Sequence, residues 1–211
     1  MKLLLDVSPS TMTDVASGPC GRAILGQLLT PLSNYQFWGG AFAIDNGAFS
    51  GFDREGFTRL LARMKPHRHK CLFVAVPDVV ANARRTLEIF HVLACDYMAW
   101  PLAFVAQDGI EDLAIPWRDL QAIFLGGTTE WKLSQSAVDV IRTAKILGKH
   151  THVGRVNTRG RWKHFEQLGV DTCDGTGFSR FRDEKFLWLR DIDEMPLWDG
   201  VGGMDLCEGS V

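Results

Sequence analysis

The chain has 211 residues, of which 46% are hydrophobic and 23% charged, enough apolar material for one domain with a full core. Its net charge of -2 excludes a globally basic nucleic-acid binder and leaves only local basic groups to consider. No apolar run reaches membrane-spanning length, and the opening "MKLLLDVSPS" turns acidic too early for a secretory leader.

Strand-like apolar runs recur at 2–7, 41–45, 71–76, 101–107, 122–127, 150–156 and 170–175. Helical spacing fills most of the intervals. Phe57, Leu60, Leu61 and Met64 form one stripe, Ala137, Val140, Ile141 and Ala144 a second, and Trp162, Phe165 and Leu168 a shorter third. Strands written as nearly continuous apolar runs are buried on both faces, as in a parallel sheet wrapped by helices. A βα unit every ~20–30 residues, repeated seven or eight times, predicts a compact or incomplete (β/α)8 barrel of the α/β class. A doubly wound open sheet is the alternative, but no GxGxxG follows the first strand. Pro66, Pro77, Pro101 and Pro116 fall at predicted element boundaries, where a missing N–H costs least. The rhythm fades after Phe186, so residues 1–185 are read as the barrel domain and 186–211 as a tail. Five cysteines (Cys20, Cys71, Cys95, Cys173 and Cys207) lie apart with no CxxC pair, which fits a reducing, cytoplasmic interior.

The C-terminal ends of barrel strands share one face, and that face carries the chemistry of such enzymes. The strand ends here supply Asp6, Asp45, Asp78, Gln107, Gly126, Gly127, Asn157 and Asp174. Each has a plainer reading. Asp45-Asn46-Gly47 suits an Asx turn, Asp6 and Asp78 suit helix caps, and Gln107-Asp108-Gly109 suits a turn. Several carboxylates on successive strand ends favour a site over a set of coincidences.

These residues also resemble, in order, the motifs of the tRNA-guanine transglycosylase superfamily, which includes shorter DpdA-type proteins that insert 7-deazaguanine bases into DNA. The family's D-S-G-G-F-Q is similar to Asp45-Asn46-Gly47-Ala48-Phe49-Ser50, and its next strand-end aspartate to Asp78. Its V-Q-G resembles Ala106-Gln107-Asp108-Gly109, and its G-G-L-x-x-G-E resembles Gly126-Gly127-Thr128-Thr129-Glu130 with a shortened loop. Its G-V-D-x-F-D-C is similar to Gly169-Val170-Asp171-Thr172-Cys173-Asp174-Gly175. The resemblance implies base exchange, with Asp174 as the nucleophile at C1′ and Asp45 as the general acid/base. It implies a base pocket of Asp78, Gln107, Gly126 and Gly127, with Phe49 stacking on the base. Gly175 and Gly177 are expected to leave space for a sugar-phosphate. The family's Cys-x-Cys-x-x-Cys zinc spacing does not occur here, which points to DNA in preference to tRNA, and Ser50 replaces a base-contacting glutamine.

Basic residues fall into three groups. Arg155, Arg159, Arg161 and Lys163 follow a late strand, and Arg180 and Arg182 come after the last. Both are expected to hold phosphates on the reaction face. The group from Arg63 to Lys70 precedes a strand and is expected at the opposite end. The pairs His67/His69 and His150/His152 have no third ligand placed by spacing, so neither a metal nor a cofactor is expected. The expected partners are DNA and a free 7-deazaguanine-type base, with no membrane; a second copy or a partner protein is left open. Two alternatives remain: an N-glycoside hydrolase or small-nucleoside enzyme, and a non-catalytic barrel that binds nucleic acid beside a catalytic partner.

Overall fold

The computed structural model describes residues 1–17, 25–175 and 177. Eight parallel strands close on themselves: β1 (Lys2–Leu5), β2 (Leu25–Leu29), β3 (Phe42–Ile44), β4 (Cys71–Ala75), β5 (Leu102–Ala106), β6 (Ala122–Leu125), β7 (His150–Val153) and β8 (Thr172–Asp174). The closing pair sets Leu3 against Cys173 and Leu4 against Asp174. The fold is a single-domain (β/α)8 barrel. Helices α1 (Pro9–Ala16), α2 (Arg54–Met64), α3 (Ala83–Tyr97), α4 (Thr129–Lys132), α5 (Gln135–Ile146) and α6 (Arg159–Gln167) lie between strands.

Alternation along the strands sorts the core into two layers. Inward side chains, among them Leu4, Leu28, Ala43, Phe73, Ala75, Val105 and Phe124, fill the lumen. The rings of Phe73 and Phe124 meet edge to face, with centres 6.0 Å apart. Outward side chains such as Leu3, Phe42, Val74, Phe104, Ile123 and Cys173 meet the apolar helix stripes. Those stripes bury the side chains their spacing predicts: Phe57, Leu60, Leu61 and Met64 on α2, and Ala137, Val140, Ile141 and Ala144 on α5. On α6 Trp162 and Phe165 are buried, and Leu168 closes the helix as its C-cap.

The structure departs from the sequence reading in two ways. Strand β2 was not among the expected runs, because Leu25–Leu29 reads "LGQLL" and contains neither a β-branched nor an aromatic residue. Gly26 keeps the strand closely packed there, since a Cβ would lie 2.6 Å from Leu4 Cδ2 and 3.2 Å from the Ala41 carbonyl. Gln27 is fully buried, its amide donating to the carbonyls of Val7 and Gln36 and its oxygen accepting from the Trp38 N–H. The other strands stop one to three residues earlier than expected, and the freed residues at their C-terminal ends turn into the loops that build the site. The expected tail 186–211, together with Cys20, Cys207, Arg180 and Arg182, lies outside the described residues. Among the described residues no helix is long and apolar enough to cross a membrane.

Candidate active site

A cavity of about 400 Å³ opens at the C-terminal ends of the strands. Leu4, Leu28, Val105 and Phe124 form apolar walls, and Asp6, Asp45, Asp78 and Asp174 bring four carboxylates from different strand ends into the same space. Asn46, Phe49, Gln107, Gly126, Gly154, Arg155, Asn157 and Gly175 also line it. Gly127 is not among the lining residues; its N–H is bonded to the Ala106 carbonyl at 3.2 Å.

Asp45 follows β3 and satisfies both readings of its sequence. Its Oδ1 accepts the Gly47 N–H at 3.1 Å in an Asx turn, and Gly47 supplies the left-handed φ of 74° the turn needs. The same carboxyl forms part of the cavity floor, where burial pushes it up to about 7 against the Gly47 hydrogen bond. The charges of Asp174, Asp78 and Asp6 push in the same direction. At neutral pH Asp45 is therefore shared between its acid and base forms.

Asp78 does not cap α3; Asn82 does, its side chain accepting from the Arg85 N–H. Asp78 is held between two amides instead, Asn46 Nδ2 at 2.8 Å on one oxygen and Gln107 Nε2 at 2.7 Å on the other. Burial raises its pKa, and the two amide bonds oppose the rise. Both Asn46 amide hydrogens are used, since it also donates to the Val76 carbonyl at 3.0 Å, and its oxygen accepts from the Ala48 N–H at 2.7 Å. Gln107 likewise accepts from the Ala81 N–H at 3.0 Å. Its amide thus holds Asp78 at the edge of the cavity that it helps to line. Asp6 does not cap α1, a task taken by Ser8; it accepts from Ser33 at 2.8 Å and from the Tyr35 hydroxyl. Burial and the Asp6 charge raise the Tyr35 phenol.

Asp174 ends β8 with both oxygens engaged. The Arg155 N–H donates to Oδ1 at 3.1 Å, and His152 Nε2 stands 3.0 Å from Oδ2. Arg155 adopts a left-handed φ of 62°, unusual for a residue with a Cβ. Its guanidinium bonds the carbonyls of Gly126 and Gly127 and lies 5.0 Å from the centre of the exposed Phe49 ring. Gly175 lines the cavity and also serves close packing, since a Cβ would sit 2.6 Å from the Val156 carbonyl oxygen.

Two site residues were missed from the sequence. Lys132 is buried, donates to the Gly154 carbonyl at 2.5 Å, and is held down to about 8 by burial and then by the Arg155 charge. His152 had been considered only as half of a metal pair. Among the described residues no three His, Cys, Asp or Glu side chains come together as a metal site.

No family model matches the chain, and no curated protein matches it. Among solved structures, the c-di-GMP complex of the PaMucR phosphodiesterase aligns over 80% of this chain and 69% of that one, at 10% identity and a TM-score of 0.41. At that level of likeness nothing about this chain follows from it.

Of the basic residues, Arg161 donates to the Arg155 carbonyl at 3.3 Å from the first turn of α6. Arg159 is exposed at the start of that helix and Lys163 is half-buried. The group before β4 lies at the other end of the barrel, where Arg68 and Lys70 donate to the carbonyls of Ala99 and Gly39.

Proposed function

We propose that the protein is a base-exchange transglycosylase acting on a guanine-type base in a polynucleotide, DNA in preference to tRNA. The observation that carries the reading is the pairing of two unlike carboxylates on one cavity. Asp45 is poised near 7, and Asp174 is held by a donor on each oxygen. A displacement at C1′ needs both kinds. In the first half, an Asp174 oxygen bonds to C1′ while the bond from C1′ to the base nitrogen breaks, and Asp45 gives that nitrogen its proton. In the second half, the incoming base loses its N–H proton to Asp45, its nitrogen bonds to C1′, and the bond to Asp174 breaks.

Asp78 suits the donor edge of a guanine-type base, since each of its oxygens keeps acceptor capacity beyond the one amide bond it receives. A cavity of about 400 Å³ lies within the range of small-molecule sites. The target nucleotide must leave its stack to enter it. Incubation with labelled guanine and either DNA or tRNA, followed by counting label in the polymer, tests the reaction. Asp174→Asn should form no covalent adduct with polynucleotide. Label that reaches neither polymer, with nucleoside cleaved to free sugar, would favour the hydrolase alternative.

A further inference from the structure

The inward positions of β7 and β8 break the apolar pattern of the lumen with His150, His152, Thr172 and Asp174. Strand register makes them neighbours, since His152 is paired with Thr172. His150 Nε2 lies 2.9 Å from Thr172 Oγ1, the same oxygen lies 2.9 Å from His152 Nδ1, and His152 Nε2 lies 3.0 Å from Asp174 Oδ2. The His152 ring has no exposed surface and is wedged against Phe73 and Phe124, with ring centres 4.8 and 4.4 Å away.

The hydrogens along this chain can be assigned. An ionised carboxylate only accepts, so the nitrogen facing Asp174 carries the hydrogen. In the neutral ring Nδ1 is then bare, and the Thr172 hydroxyl is placed to donate to it at 2.9 Å in preference to the Thr151 carbonyl at 3.4 Å. The Thr172 oxygen is in turn free to accept from His150 Nε2–H. Burial holds His150 down to about 4, so at pH 7 it is neutral. The reverse order would aim a bare Nε2 at a carboxylate oxygen. Each ring is thus fixed in one tautomer by its neighbour.

We propose that His152 is a positioning residue for Asp174: its Nε2–H, kept in place by Thr172, fixes the carboxylate in the cavity and stabilises it as the group that leaves C1′. The proposal rests on the base-exchange reading. Oδ2 lies against the buried His152 ring; Oδ1, which accepts the Arg155 N–H and keeps a further lone pair, is the oxygen assigned to C1′, and Oδ2 becomes the carbonyl oxygen of the ester. It remains an acceptor, so His152 neither gains nor loses a proton. When the ester breaks, negative charge returns to a carboxylate that already has its donor. A hydrogen bond to a charged group is worth more than one to a neutral carbonyl, so the second half gains most. The other groups facing Asp174 are Arg155, Lys132 on α4, Asp45 and Asp6.

His152→Phe keeps an aromatic body against Phe73 and Phe124 and removes the donor. It should lower kcat roughly 10- to 100-fold, the scale of one charge-assisted hydrogen bond. kcat/KM for polynucleotide should stay unchanged, so that KM falls with kcat, and the covalent adduct should accumulate at steady state. His152→Gln, which restores an N–H at similar reach, should recover most of the loss. Independently of activity, 15N-histidine NMR of the parent should show His152 protonated at Nε2 and bare at Nδ1, with Asp174→Ala shifting the Nε2 signal. A His152 ring protonated at Nδ1 alone, or an active parent whose Phe variant turns over unchanged, would overturn the proposal. A parent with the expected tautomer and no base exchange would instead sink the base-exchange reading, and the catalytic use of His152 with it.

Discussion

Replacing Asp45 by Asn should stabilise the protein, and more so as pH rises. Its carboxyl has an ordinary value of 3.8 when exposed and titrates at about 7 in the folded chain. Between those limits the folded state holds a proton that the unfolded state has released. Stability therefore falls as pH climbs from about 4 to 7, and the full cost is present above 7. At about 1.4 kcal/mol per pH unit, the interval amounts to about 4 kcal/mol at pH 8 and about 1.5 kcal/mol at pH 5. The amide of Asn keeps an oxygen for the Gly47 N–H and carries no charge to bury, so the variant escapes this cost. In urea unfolding followed at both pH values, with the m-value unchanged, the advantage of Asp45→Asn should grow by about 2–3 kcal/mol from pH 5 to pH 8. An advantage that is constant with pH, or a variant less stable than the parent at pH 8, would refute the assignment of Asp45 as a carboxyl held high by burial.

Gly175→Ala should destabilise the loop after β8 by about 1–3 kcal/mol in thermal or urea unfolding, because the new methyl meets the Val156 backbone, which cannot step aside as a flexible side chain would. If the basic residues after β7 hold phosphates, polynucleotide affinity should fall with salt by roughly 0.7–0.9 log units per log unit for each phosphate neutralised. Replacing Arg159 and Arg161 together by Ala should flatten that slope by about one to two units and leave binding of a free base unchanged. An unchanged slope would remove the polynucleotide and promote a small-nucleoside substrate.

Some features of this protein were set by short stretches of sequence. The stripe on α2 is a local periodicity that marks its buried face, and the continuous apolar run of β5 marks a strand buried on both faces. Asp45, Asp78 and Asp174 could be placed on one face because each follows a run whose direction in a parallel sheet is already known. Other features depended on residues far apart in sequence. Strand β2 holds its place through Gly26 under Leu4 and Gln27 among distant carbonyls, neither of which is a local strand signal. The spacing of His150 and His152 shows that both point to the same side of β7. It cannot show that β8 arrives beside them in the register that sets Thr172 opposite His152. Arg155 reads as one more basic residue until the fold sets its N–H against Asp174 and its guanidinium against the Gly126 and Gly127 carbonyls. Only closure of the barrel makes β8 a neighbour of β1, and so brings carboxylates from opposite ends of the chain into one cavity. There their shared burial and mutual repulsion set the pKa of Asp45, which no residue carries in its own sequence neighbourhood.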